Sequence, residues 1–172
     1  MKTSRPSGEI QRVISAAIPS VTSILFVLAG VVPSGAPGIS SVAPLLSVAA
    51  IFFWVVSRPG LMPPASVFCI GLLQDVLSGG PIGLWALTLL LVQYLSLSQR
   101  QFLVDQTFIF SWVGFTSVVI GAALLAWLSA CVYYDVLLSP MPVIVQAALT
   151  VLVYPLMALL LISVSRLIPA AP

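Results

Sequence analysis

The sequence predicts an all-α integral membrane protein, and its composition is the first reason. Of the 172 residues, 60% are hydrophobic and only 6% are charged, whereas a soluble domain normally carries about 25% charged residues. The apolar residues extend over the whole chain, so we expect residues 1–172 to form a single polytopic membrane domain. The chain has no histidine, which removes the usual general base and the usual zinc ligand.

Six apolar stretches separated by turn residues predict about six transmembrane helices. They cover residues 13–32, 39–56, 65–77, 81–98, 107–133 and 143–164. The first is long enough to span the bilayer and is not followed by a cleavage site, so it is not a signal peptide. The third is short, covering only about 20 Å of a hydrocarbon core about 30 Å thick. A Gly79-Gly80-Pro81 turn joins it to the fourth.

The basic residues predict the orientation. If the N-terminus is cytoplasmic and the chain crosses six times, all six lysines and arginines fall on the cytoplasmic side, as the positive-inside rule requires. They are Lys2, Arg5, Arg12, Arg58, Arg100 and Arg166. Both termini are then cytoplasmic, and segments 33–38, 78–80 and 135–142 lie outside. A re-entrant hairpin of the third and fourth stretches has the same parity and remains open.

A single aspartate stands out within the third stretch. Placing a charge in hydrocarbon costs about 2.5–3.5 kcal/mol of free energy, so the presence of Asp75 requires a structural or functional explanation. Gly71, Asp75 and Gly79 share one helix face because they are spaced four residues apart. We expect the carboxylate to accept the unpaired N–H groups of residues 82–84 at the start of the next helix. A polar contact with a partner, and proton or substrate chemistry, are the alternatives.

A second pattern of small residues lies in the fifth stretch. Gly114, Ser117 and Gly121 recur at i, i+3 and i+7 and therefore share one face. Small residues allow helices to approach closely in a membrane. This face either packs against another helix of the chain or forms an exposed contact stripe for a partner.

The remaining conspicuous residues have simpler interpretations. Arg58 lies just beyond a span and reads as a topology anchor, whereas Trp54 and Trp85 read as interfacial aromatics. Cys69 and Cys131 are isolated in apolar runs and read as small buried hydrophobes. We therefore predict no catalytic residue and no metal ligand.

The segment from Trp54 to Tyr94 resembles the family of bacterial rod shape-determining proteins called MreD. The resemblance rests on Trp54, Arg58-Pro59, the series Gly71-x-x-x-Asp75-x-x-x-Gly79-x-x-x-Gly83, Ala86-Leu87 and Tyr94. It implies a non-catalytic, multi-pass component of the cell-elongation machinery in the bacterial inner membrane. It further implies an MreC-like bitopic partner, contacts with MreB-like filaments, RodA-like glycosyltransferases and transpeptidases, no cofactor and no nucleic acid.

Eight residues are the candidates for structural or partner-contact roles. They are Arg58, Pro59, Gly71, Asp75, Gly79, Gly83, Gly114 and Gly121. A different class of protein, the small six-span substrate-binding subunit of an energy-coupling-factor vitamin transporter, is similar in size and span number. A ligand pocket in such a subunit needs several inward polar groups. Here they would come from Gln74, Asp75, Gln93, Tyr94 and Gln146.

Overall fold

The computed structural model describes residues 6–31, 45–103 and 108–165. Within these residues the chain forms six α-helices and no strand. The helices are α1 (Pro6–Val31), α2 (Leu46–Ser57), α3 (Pro64–Ser78), α4 (Leu84–Leu103), α5 (Phe108–Tyr134) and α6 (Met141–Ser165), with a short 3-10 turn at Pro59–Leu61 between α2 and α3. The all-α prediction is confirmed for this part of the chain.

Helix α2 is the centre of the fold. Nine of its 12 residues are buried, and it packs against α1, α4 and α6. Its sequence is apolar on every side, which is typical of a helix that is enclosed by others rather than lying at a surface. The other helices are arranged around it: α3 pairs with α4, α4 with α5, and α5 with α6, while α1 packs on α2 and α3.

Aromatic stacking and a long-range hydrogen bond fix the neighbours of α2. Phe52 of α2 meets the ring of Phe115 edge-on at 5.2 Å, and Phe115 stacks on Tyr154 of α6 at 4.0 Å. The N–H of Leu45, just before α2, donates to the hydroxyl of Thr150 on α6 over 2.9 Å. These contacts hold α5 and α6 against one side of α2.

The outer surface of α5 and α6 is apolar. Segments Ile109–Tyr134 and Met141–Ser165 are long and apolar enough to cross a membrane, and only 28% of the scored window of each is buried inside the molecule. Apolar surface of this extent is unusual on a soluble protein and matches a lipid environment. Three further described helices are apolar but shorter, namely Ala17–Gly30, Leu46–Ser57 and Pro64–Ser78.

The helix bounds differ from the predicted stretches mainly in the first, second and fourth helices. Helix α2 begins at Leu46, and residues 39–44 of the predicted second stretch lie outside the described residues. Helix α1 begins at Pro6, seven residues before the predicted stretch, and α4 runs from Leu84 to Leu103 instead of covering residues 81–98. Helix α3 is short, as expected. The predicted outer segment 33–38 lies outside the described residues, as do Lys2, Arg5 and Arg166, three of the basic residues that predict the orientation.

Candidate functional site

The carboxylate of Asp75 lies in a cradle made by the backbone of the next helix. Its Oδ2 accepts the N–H of Gly83 at 2.8 Å and that of Ala86 at 3.4 Å, and its Oδ1 accepts the N–H of Trp85 at 2.8 Å. The residue is only 1% exposed. A carboxylate is disfavoured at the C-terminal end of its own helix, but here it meets the positive end of α4. Both of its oxygens are used by backbone donors.

The turn between α3 and α4 creates this cradle. Gly79 ends α3 in the left-handed conformation with φ 66°, and Gly83 has φ 100°, which side chains with a Cβ rarely adopt. The two glycines turn the chain so that the N–H of Gly83 points back at Asp75. The expected cap is therefore present, but with a correction to its donors. Only Gly83 of the three expected residues donates, because α4 begins at Leu84 and not at Pro81.

Gly71 lets α3 and α4 come into backbone contact. A Cβ placed on Gly71 would collide with the Cα of Ala86 and would lie 2.8 Å from its nitrogen. The same segment of α4 also donates hydrogen bonds to Asp75, which lies one helical turn after Gly71 in α3. Of the two roles left open for Gly71, the geometry favours the structural one, because the residue is buried between helices of this chain.

The second small-residue face also lies between helices of the same chain. A Cβ on Gly121 would lie 3.0 Å from a methyl group of Leu95 on α4. The hydroxyl of Ser117 pairs with the side-chain amide of Gln99, also on α4, and Gly114 is buried. Two residues of this face, Ser117 and Gly121, therefore contact α4, while the Ser117 side chain is exposed.

The Arg58-Pro59 pair forms the connection at the other end of the molecule. The N–H of Arg58 donates to the carbonyl of Trp54 at 2.7 Å and closes α2, and Pro59 begins the 3-10 turn. Both side chains are half-buried. They shape the link between α2 and α3 and lie far along the helices from Asp75.

Two residues of α4 hold this connection in place, a role that the sequence did not predict for either of them. Arg100 donates from its Nε to the carbonyl of Val56 in the last turn of α2 at 3.0 Å, where a cation also suits the helix dipole. Gln93 is buried and donates to the carbonyl of Met62 at 2.8 Å. From the sequence Arg100 is only a signal of membrane orientation, because nothing local in the sequence indicates which helix end it reaches.

The interpretation of Trp54 as an interfacial aromatic is wrong. The side chain is fully buried, and its indole N–H donates to the hydroxyl of Thr22 on α1 at 2.9 Å. Trp54 lies within the central helix α2, so it faces the core instead of a membrane surface. Trp85 is half-buried and packs against the same core.

Three of the five polar side chains proposed for a ligand pocket are bonded to backbone or lie exposed on the outside of the molecule. Gln93 is bonded to backbone, Asp75 is enclosed by α4, and Tyr94 is 69% exposed on the outside of α4. Gln74 is 8% exposed, and its Oε1 has no hydrogen-bond partner. No group of three or more potential metal ligands occurs among the described residues.

Fold and site together define an all-helical protein with an apolar, lipid-compatible surface, in which a buried carboxylate joins two helices. A family model described as rod shape-determining protein MreD matches residues 11–164, and the chain belongs to this family. No curated protein and no solved structure matches the chain. The family consists of membrane proteins that act in rod-shape determination alongside MreC and MreB, and it is not known for enzymatic activity. No comparison supports the vitamin-transporter alternative.

Proposed function

We propose that this chain is a non-catalytic scaffold of the cell-elongation machinery in the bacterial inner membrane. It crosses the membrane six times, keeps both termini in the cytoplasm and binds an MreC-like bitopic protein. Through that partner it is linked to MreB-like filaments, a RodA-like glycosyltransferase and a transpeptidase. Family membership over residues 11–164 supports the role in cell shape.

The observation that carries the non-catalytic part of the proposal is the enclosure of Asp75. A catalytic or proton-carrying carboxylate in a membrane needs access to a substrate or to further ionisable groups. Both carboxylate oxygens of Asp75 instead accept hydrogen bonds from backbone N–H groups, and the residue is 1% exposed. Its chemistry is that of a structural joint between α3 and α4.

The orientation is tested by labelling single cysteines in intact cells with a membrane-impermeant thiol reagent. Ser139→Cys lies in the exposed α5–α6 connection and Gly60→Cys in the exposed 3-10 turn, in a background without Cys69 and Cys131. We expect Ser139→Cys to be labelled in intact cells and Gly60→Cys only after lysis. The opposite pattern would refute the orientation.

The function is tested by depletion and co-purification. Depleting the protein from a rod-shaped host should give spherical cells, and the tagged protein should retain an MreC-like partner in mild detergent. Uptake of vitamins should not change. Rods that persist after depletion, together with a loss of vitamin uptake, would contradict the scaffold and favour a transporter subunit.

A further inference from the structure

Helix α6 contains a proline in its interior. The helix continues through Pro155, the fifteenth of its 25 residues. Proline has no N–H and cannot donate to the carbonyl four residues earlier, so the carbonyl of Val151 lacks its helical donor. The indole N–H of Trp112 on α5 takes this place and donates to the Val151 carbonyl over 3.0 Å. A neighbouring helix thus supplies the hydrogen bond that α6 cannot make for itself.

The part of α6 before Pro155 is fixed to the rest of the bundle by specific contacts. The hydroxyl of Thr150 accepts the N–H of Leu45, just before α2, over 2.9 Å. The ring of Tyr154 stacks on Phe115 of α5, with the two ring centroids 4.0 Å apart. A hydrogen bond and an aromatic stack therefore hold this part of the helix against two neighbours.

The part of α6 after Pro155 has contacts of a different kind. We call residues 156–165 the end segment of α6. Its buried residues are Met157, Ala158 and Leu161, which are all apolar. Its two serine hydroxyls donate to carbonyls of their own helix. The contacts of the end segment with other described helices are therefore apolar packing, which does not specify a position as closely as a directed hydrogen bond does.

A cavity lies beside the end segment. Its volume is about 100 Å³, and Ala158 and Ile162 of the end segment line it together with Ser57 of α2 and Ser111 of α5. Close packing on all sides holds a helix in one place, whereas atoms that line a cavity lack contacts on one side. The end segment therefore has space between α2 and α5 into which it can tilt.

We propose that the end segment is a hinged part of the molecule, with Pro155 as the hinge and the Trp112 indole as the latch. While the indole N–H bonds to the Val151 carbonyl, the carbonyl is satisfied and α6 keeps the observed shape. When this bond breaks, the helix bends further at Pro155 and the end segment tilts towards the cavity. A bend of about 20°, typical of a proline kink, acting over the eight residues to Ser163, about 12 Å, moves the chain by about 4 Å.

The hinge places the moving part of α6 at one face of the membrane. In the proposed topology α6 runs from the outer side to the cytoplasm, so the end segment is the cytoplasmic end of the helix. A protein that binds there can favour one of the two positions, because a ligand shifts such an equilibrium by its difference in affinity for the two states. The hinge itself depends neither on this orientation nor on the proposed function, and its tests use neither.

The first test measures distances between two spin labels by pulsed electron paramagnetic resonance, in the background without the native cysteines. One label is attached at Gly60→Cys, and the other either at Ser163→Cys in the end segment or at Leu152→Cys before the hinge; all three positions are exposed. We expect Trp112→Phe to shift or broaden the Gly60–Ser163 distances by about 4 Å and to leave the Gly60–Leu152 distances unchanged. No change in either pair, or equal changes in both, overturns the hinge.

The second test separates the latch from simple packing of the indole. Pro155→Ala restores an N–H that can donate to Val151, so that the indole bond is no longer needed. Trp112→Phe should lower the melting temperature by about 2–4 °C in the wild-type background and leave it unchanged in the Pro155→Ala background. Trp127→Phe is the control, because it removes another indole bond of α5, to the carbonyl of Leu138 at 3.1 Å, and it should act equally in both backgrounds. If Trp112→Phe also acts equally in both, the indole stabilises the protein by packing alone and the proposal is overturned.

Discussion

Replacing Asp75 tests whether the carboxylate is a structural joint. Asp75→Leu removes the acceptor of two short bonds, from the N–H groups of Gly83 and Trp85 at 2.8 Å, and of a longer one from Ala86 at 3.4 Å. Hydrogen bonds to a charged group contribute about 1.5–3 kcal/mol each, so loss of the two short bonds costs about 3–6 kcal/mol. The site is buried, and water cannot easily replace the lost acceptor.

Asp75→Asn should be milder but not neutral. Its carbonyl oxygen can take the place of Oδ2 and keep the bonds to Gly83 and Ala86. Its NH₂ group then occupies the position of Oδ1, 2.8 Å from the nitrogen of Trp85, so that two donors face each other. We expect a loss of about 1.5–3 kcal/mol, roughly half of that for leucine.

The assay is reversible unfolding in mixed detergent micelles, followed by helical circular dichroism. Asp135→Asn, in the exposed loop after α5, is the control and should leave the free energy of unfolding unchanged. Equal losses for the asparagine and leucine variants would mean that the negative charge itself is required. A leucine variant within 1 kcal/mol of wild type would refute the cap.

Three further predictions use the same unfolding assay. Gly71→Ala should lower the free energy of unfolding by about 1–3 kcal/mol, because the new methyl group forces α3 and α4 apart. Gly60→Ala is the control, since Gly60 has open space around it, and it should not destabilise the protein. Equal stabilities of the two variants would contradict the close contact at Gly71. Arg100→Gln should lower the free energy of unfolding by about 1–2 kcal/mol, because it removes the cation at the end of α2, and Arg100→Lys should have a smaller effect. If Arg100→Gln leaves the stability unchanged, the contact of Arg100 with α2 does not stabilise the fold. Trp54→Phe and Thr22→Val should each cost about 1 kcal/mol and should not add in the double variant, because they break one shared hydrogen bond; full additivity would exclude that bond.

Composition, breakpoints and the short third helix follow from the sequence because they depend on local chemistry. The 6% content of charged residues predicts a membrane protein without reference to any contact. Pro63-Pro64 and Gly79 mark the ends of α3 through backbone preferences that act within a few residues. The hydrogen bonds of Asp75 to the next helix were also predictable, because the tight turn brings the start of that helix close to the carboxylate.

Only the tertiary structure decides which helix faces meet. The sequence gives Gly71 and Gly121 as small residues, but their spacing is the same whether they face a partner or a neighbouring helix. Trp54 looks interfacial because it lies near a helix end, yet α2 is enclosed by other helices and the indole bonds to Thr22, 32 residues away. Arg100 reaches the end of α2 across 44 residues of chain. These contacts depend on how the helices are arranged in space, and local patterns of apolar and small residues do not encode that arrangement.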